Sequence, residues 1–184
     1  MIRPARRAAE AMGDETAGKA VERLFGRYGD EIYRFARFSL GSSPEAQDVV
    51  QEVFLGALRN WDRFAGRSSE RTWLFAIAKH AIADSLRRRR SDPSESTERL
   101  QSVQAAEDVG LGRLDLEASL RLLPIAQRQV FILRIIEDRS VAETSTLLGR
   151  SAVWVRVTLH RALRRLRESL SSERAPHEGE GTTT

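Results

Sequence analysis

The spacing of apolar residues between Ser43 and Trp61 is the feature that most restricts the fold of this chain. They recur every three or four residues, which places them on one face of a helix: Ala46, Val49, Val50, Val53, Phe54, Ala57, Leu58 and Trp61. Ser43 is a suitable N-cap, and Pro44 fits the first helical turn. A strand would alternate apolar and polar residues, and no segment of the chain does so. The sequence therefore predicts an all-α fold.

The same spacing divides the chain into two helical units. It returns in further segments bounded by serine, proline or glycine: about 19–40, 70–90, 114–123, 124–136, 141–148 and 152–170. The first segment is either two helices or one helix bent at Gly29. Ser140 and Ser151 are the expected caps of the last two, and Gly149 separates them. We therefore expect two small helical domains, residues 19–90 and 114–170, the second a helix-turn-helix.

Charge and composition set these units apart from the rest of the chain. Residues 91–117 hold seven acidic residues against two arginines, and few large apolar side chains occur up to about Gly112. Such a segment cannot bury enough apolar surface to fold alone, so we predict a flexible acidic linker at 91–113. Residues 1–18 and 171–184 are polar or small and lack any periodicity, which predicts disordered tails.

Composition also excludes several classes of function. The chain has no cysteine, so it has no disulfide, no thiol nucleophile and no Cys-ligated metal, and a reducing cytoplasm is the expected location. His80, His160 and His177 have no acidic partner at metal or triad spacing, and no phosphate-binding glycine loop occurs. We therefore expect no enzyme activity, metal or cofactor. No apolar run is long enough to insert in a membrane.

The last helix predicts a DNA contact. Arginines account for 28 of the 30 basic residues, since only Lys19 and Lys79 are lysines. Residues 151–170 hold five arginines against one acid, Glu168. In a helix-turn-helix the second helix enters the major groove, and arginine matches phosphate and guanine geometry. The alternative is a basic face that only meets solvent.

The first unit shows two chemically different faces. Opposite the apolar stripe of the 43–61 helix lie acids and an exposed leucine, which favours a protein partner over DNA; a solvated face is the alternative. The next helix presents Phe75, Lys79, His80, Ala83 and Arg87 away from its core stripe, and the preceding loop adds Arg63, Phe64 and Arg67. Basic residues interleaved with exposed aromatics suit single-stranded nucleic acid, whose bases stack and whose phosphates need neutralising.

These segments resemble one family, the group 4 or extracytoplasmic-function (ECF) sigma factors of the sigma-70 class. EAQDVVQEVFLGALRNWDRF is similar to the family's core-polymerase-binding helix, and RTWLFAIAKHAIADSLRRRR resembles the helix that handles the −10 element. LPIAQRQVFILRIIEDRSVAETSTLLGRSAVWVRVTLHRALRRLR resembles the module that reads the −35 element. The resemblance covers roughly residues 20–90 and 114–168.

The resemblance implies partners and roles. The chain would bind the β′ and β subunits of core RNA polymerase and promoter DNA, and an anti-sigma factor would hold it inactive. The core-polymerase contact would comprise Asp48, Gln51, Glu52 and Leu55. The −10 site would comprise Phe64, Arg67, Ile77, Lys79, His80, Ala83 and Arg87. The −35 site would comprise Ser151, Arg156, Val157, His160 and Arg161.

One departure from the family pattern bears on specificity. His80 stands where asparagine is frequent, and an imidazole offers different hydrogen-bonding groups to a base than an amide does. Two other functions are compatible with parts of the sequence. A stand-alone helix-turn-helix regulator would leave the first unit unexplained, and an enzyme with a helical accessory domain would need a catalytic cluster that the sequence lacks.

Overall fold

A computed structural model describes residues 16–64, 66–91 and 111–173 of the chain, and these segments are helical with short connections. The first unit contains helices α1 (Ala17–Leu40), α2 (Ser43–Asn60) and α3 (Glu70–Ser91), with a 3₁₀ turn at Trp61–Arg63. The second contains α4 (Leu111–Arg121), α5 (Ile125–Phe131) with a π-helical continuation at Ile132–Ile136, α6 (Val141–Leu148) and α7 (Ala152–Glu173). The all-α prediction is confirmed. Most of the predicted linker and of both tails lies outside the described residues.

Helix α1 runs through Gly29 without interruption, so the alternative of two helices is wrong. Gly29 is buried because the Phe25 side chain lies over it, with ring carbons 3.6 Å from where a Cβ would stand. The helix ends at Gly41, whose φ of +70° is accessible to glycine at little cost. The Gly41 N–H donates to the carbonyl of Arg37 at 2.8 Å. This left-handed turn directs the chain into α2.

The sequence suggested Ser43 as the N-cap of α2, but the residue that caps this helix is Ser42. Ser42 has extended backbone angles, and its hydroxyl accepts a hydrogen bond of 3.4 Å from the N–H of Glu45. Ser43 already lies inside the helix, and Pro44 occupies the first turn as expected. Two adjacent serines offer the same capping chemistry, so the sequence alone could not choose between them.

The core of the first unit forms where α1, α2 and α3 meet. Phe35 of α1 and Phe75 of α3 are fully buried, with ring centroids 5.0 Å apart. The prediction that Phe75 faces outward is therefore wrong. Its neighbour Leu74 is also fully buried, because α3 packs against both α1 and α2 and so has a wider buried face than one stripe.

The two units pack against each other and share one continuous hydrophobic core. Helix α5 and its π-helical continuation lie against α1, and α6 lies against α3. Charged side chains cross this boundary as ion pairs: Arg34 with Glu137 at 2.8 Å, Arg37 with Glu117 at 2.9 Å, and Arg139 with Glu31 at 3.3 Å. The helical units predicted from the sequence thus form one closed body.

Candidate functional surfaces

The outer face of α2 carries the side chains that the sequence assigned to a protein partner. Asp48 and Gln51 are exposed, Leu55 is 47% exposed, and Glu52 is half-buried. The helix places them outward because the opposite stripe, including Val49 and Val53, packs into the core. The structure therefore presents an acidic face with an accessible leucine.

A groove of about 730 Å³ runs between α1 and α2 beside this face. It joins three of the predicted contact residues to apolar side chains of both helices: Val21, Phe25, Tyr33, Val50, Phe54 and Leu58 line it with Asp48, Gln51 and Leu55. Glu52 is not part of the lining. An apolar floor with acidic residues at its edge suits an amphipathic helix that carries basic residues.

Phe25 and Leu58 are surface residues that the sequence placed inward, because both belong to apolar stripes. Phe25 is 55% exposed and meets Phe54 edge-to-face at 5.1 Å, and Leu58 is 42% exposed. A signal was present for Phe25: it directly follows the fully buried Leu24, and adjacent helical residues point about 100° apart. Exposed apolar side chains that gather beside one groove typically mark an interaction site.

The predicted −10 residues on α3 do not share one environment. His80, Ala83 and Arg87 are exposed on α3, and Arg67 is exposed in the preceding loop. Ile77 is half-buried beside Gly56 of α2. Arg87 forms an ion pair with Asp84, one turn away. The structure therefore leaves four of the seven predicted side chains open to a nucleic acid.

Phe64 lies in an aromatic cluster and not on the surface. Only 9% of it is exposed, its ring stacks on Trp73 at 4.6 Å, and Trp61 lies 5.8 Å away. With Phe75 also buried, the expectation of exposed aromatics interleaved with basic residues is wrong. The three rings pack together because the turn at Trp61–Arg63 brings Phe64 back over α3.

Lys79 is the predicted −10 residue whose environment differs most from expectation. Its Nζ donates a hydrogen bond of 2.8 Å to the carbonyl oxygen of Leu148, the last residue of α6. Burial lowers the pKa of Lys79 because it penalises the charged ammonium, and the nearby Arg150 guanidinium lowers it further. Lys79 therefore binds the second unit in this structure.

The helix-turn-helix of the second unit forms as predicted. The Ser140 hydroxyl accepts from the Glu143 N–H at 3.1 Å, while the Glu143 carboxylate accepts from the Ser140 N–H at 2.8 Å. Hydrogen bonds from the Ser140 hydroxyl and from the Ser140 backbone N–H to the carboxylate lower the pKa of Glu143, because they favour its charged form. Gly149 takes φ +63° at the turn, and the Ser151 hydroxyl accepts from the Trp154 N–H at 3.2 Å. The caps fix where α6 ends and α7 begins.

The predicted −35 residues are all exposed: Arg156, Val157, His160 and Arg161 on α7, and Ser151 directly before its first residue. The opposite face, which includes Val155 and Ala162, is buried in the second unit. The structure thus brings the predicted residues together on one accessible, basic side of one helix. Leu163, which the sequence placed inward, is 37% exposed.

Two further side chains lie at the start of this surface and were not predicted. Val153 is 66% exposed in the first turn of α7, and the Arg150 guanidinium lies over the Trp154 ring at 5.3 Å. The first residues of a recognition helix are those that contact base edges, so helix position alone could have indicated Val153. Its apolar side chain suits a thymine methyl group.

Within the described residues, no cluster of three or more histidine, cysteine, aspartate or glutamate side chains is placed to hold a metal ion. The helices of the same segments are too short or too polar to cross a membrane.

Comparison with known proteins identifies both units. Residues 24–91 match the family described as Sigma-70 region 2, and residues 113–166 match Sigma-70, region 4. The ECF RNA polymerase sigma factor SigX of Bacillus subtilis is 30% identical over 158 residues, which is 80% of this chain and 81% of SigX. The chain belongs to the sigma-70 family as an ECF sigma factor. As an alternative sigma factor it directs promoter-specific transcription with RNA polymerase.

Two solved structures show the same fold as this sigma factor. The structure of CnrH in complex with the cytosolic domain of CnrY matches with a TM-score of 0.67 and 24% identity, covering 91% of the sigma factor and 97% of the matched chain. The sigma factor RpoE in complex with the anti-sigma factor NepR, from Bartonella quintana, matches with a TM-score of 0.63 and 22% identity over 85% and 99% of the chains. The two-unit fold is therefore shared.

Proposed function

We propose that this sigma factor divides its work between three surfaces. The groove between α1 and α2 binds core RNA polymerase, the exposed side of α3 binds the opened −10 strand, and α7 reads the −35 duplex. The observation that carries this proposal is the segregation of charge: an acidic and apolar surface on α2, and a basic, accessible surface on α7. A protein partner suits the first and DNA suits the second.

Transcription with purified components tests this function. Core polymerase with the full chain should produce transcripts from a genomic promoter pool that core polymerase alone does not produce. A stand-alone regulator would bind duplex DNA without core polymerase and would give no new start sites. That alternative also leaves the α1/α2 groove without a role.

The −35 assignment predicts a sequence-specific loss for two arginines. Replacing Arg156 or Arg161 by alanine should reduce transcription from −35-dependent promoters. The reason is a loss of about 1 to 3 kcal/mol in the free energy of binding to the −35 element, which is the contribution of one bidentate arginine–guanine contact. Both side chains are exposed on α7, so assembly with core polymerase should be unchanged. Transcription is compared on a native and a scrambled −35 element. An equal loss on both templates would show that the arginines supply only charge.

The −10 assignment predicts that His80 determines which base is preferred at the extruded −10 position. His80 is exposed on α3, and asparagine would replace its imidazole by an amide that both donates and accepts. His80→Asn should therefore change which base at the extruded −10 position gives the fastest promoter opening, without changing the −35 preference. Promoter opening is measured on four templates that differ only at this base. The same base ranking in both proteins would assign the specificity elsewhere, with residues 62–69 as the next candidate.

We also propose that the chain has no catalysis of its own, acts in the cytoplasm and binds an anti-sigma factor. The exposed groove and the acidic face of α2 support a regulatory protein partner, since an inhibitor that covers them would block polymerase. Co-purification of the chain from its native host, followed by identification of stoichiometric partners, tests this proposal.

A further inference from the structure

Each unit caps a helix of the other with a cation. Lys79 of the first unit donates to the Leu148 carbonyl at the C-terminus of α6, at 2.8 Å. Arg128 of the second unit donates through Nη1 to the Ser39 carbonyl at the C-terminus of α1, at 2.6 Å. The last carbonyls of a helix have no partner within the helix and carry partial negative charge, so a cation is favoured there. Each unit therefore supplies one cation to a helix C-terminus of the other, which we call reciprocal helix capping.

The Arg128 contact is built into the core and is not an incidental surface contact. Arg128 is only 9% exposed, and its Nη2 also donates to the carbonyls of Arg121 and Leu123, at 2.9 and 3.1 Å. Burial lowers the pKa of Arg128 because it penalises the charged guanidinium. A buried cation needs hydrogen-bond acceptors. When the units separate, the Arg128 guanidinium loses the Ser39 carbonyl, and water must replace it as the acceptor.

The closed arrangement conflicts with simultaneous reading of a promoter. The −35 and −10 elements are centred about 25 base pairs apart, which is roughly 85 Å along B-DNA at 3.4 Å per base pair. In this structure the −10 residue Lys79 contacts the turn of the helix-turn-helix. The units must therefore separate before both elements can be bound.

The two DNA surfaces are not equally affected by closure. Arg156, His160 and Arg161 are exposed in the closed structure, whereas Lys79 is occupied. Arg150, beside Lys79, adds a second cation at the same junction, and like charges weaken this contact.

We propose that reciprocal helix capping by Lys79 and Arg128 holds the free sigma factor in a self-closed state that withholds Lys79 from −10 DNA and leaves the −35 surface open. The biological meaning of this state rests on the proposed function, because only a reader of both elements needs to open. The contacts themselves can be tested without polymerase or DNA.

The two lysines of the chain allow a direct measurement. Lys19 is exposed in the first turn of α1 and serves as an internal reference for Lys79. The free full-length chain is treated with a limiting amount of an amine-acetylating ester, and peptide mass spectrometry gives the labelling rate of each lysine. If the chain is closed nine parts in ten and the half-buried Lys79 reacts only when its Nζ is released from the Leu148 carbonyl, Lys79 should react about tenfold more slowly than Lys19. The lowered pKa of Lys79 would by itself speed its reaction, so slow labelling reports protection.

Two variants open the chain by different routes. Arg128→Gln removes the buried guanidinium, and the double variant Arg34→Gln with Arg139→Gln removes ion pairs at the edge of the boundary. Each should raise the Lys79 labelling rate about threefold or more relative to Lys19. The matched control, Arg59→Gln with Arg165→Gln, neutralises one exposed arginine of each unit outside the boundary and should leave the rate unchanged. Circular dichroism verifies that each variant is folded.

Two results would overturn the proposal. Equal labelling of Lys79 and Lys19 in the unmodified chain would show that the closed state is not populated. Slow labelling that persists in both folded boundary variants would show that the first unit alone protects Lys79. If Arg128→Gln fails to fold, the double variant still decides. Failure of the promoter-pool experiment would not affect this readout, so the two proposals fail separately.

Discussion

A chain carrying Glu52→Arg and Leu55→Ala should fail to assemble with core RNA polymerase while its helical circular dichroism stays unchanged. Leu55 is 47% exposed at the α1/α2 groove, and the half-buried Glu52 lies on the same outer face of α2. Reversing a charge in a complementary interface costs several kcal/mol, and losing a leucine contact adds to it. We expect a combined loss of about 4 kcal/mol or more, which is a roughly thousandfold weaker complex.

Assembly is measured by titrating labelled chain with core polymerase. Asp62→Arg is the matched control, since it reverses an exposed acid just beyond the end of the same helix without touching the groove. Its affinity should equal that of the unmodified chain. If the double variant binds core polymerase with the affinity of the unmodified chain, the outer face of α2 is not part of the polymerase contact.

Truncation of Phe75 should destabilise the chain more than any other single change considered above. Phe75 is fully buried against Phe35, so Phe75→Ala leaves a cavity where α1 and α3 meet. Phenylalanine-to-alanine changes in cores cost about 3 to 5 kcal/mol. Chemical denaturation of the full chain, followed by circular dichroism, gives the free energy of unfolding.

Phe25→Ala provides the comparison, because Phe25 is 55% exposed. Its partial burial against Phe54 predicts a loss of only about 1 kcal/mol in the free energy of unfolding. The opposite ranking of the two variants would contradict the buried position of Phe75. An unchanged free energy of unfolding in Phe75→Ala, together with a lower affinity for single-stranded DNA, would show that Phe75 is a DNA-contacting residue.

Features that depend on neighbours along the chain were predictable from the sequence. The caps at Ser140 and Ser151 and the left-handed turn at Gly149 follow from local backbone chemistry. The exposed face of α7 follows from helical spacing, since a single buried stripe leaves the opposite residues outside. The same argument placed Asp48 and Leu55 correctly on the surface of α2.

Features that depend on distant parts of the chain were not predictable in this way. Phe75 is buried because α3 packs against both α1 and α2, and helical spacing does not reveal how many neighbours a helix has. Phe64 is buried because a turn returns it to Trp73. The hydrogen bond between Lys79 and Leu148 joins residues 69 positions apart, and no local pattern encodes such a contact.

Mass action sets how strong the contact between the two units must be to keep the chain closed. Because both units belong to one chain, each meets the other at an effective concentration that for joined binding modules is of millimolar order. A contact of only about 4 kcal/mol then keeps the chain closed half of the time, although the same contact could not hold two separate proteins together at micromolar concentration. The apolar side chains that the two units bury together, the cationic caps and the ion pairs all contribute to this contact. A competing ligand needs to supply only a few kcal/mol to open the chain.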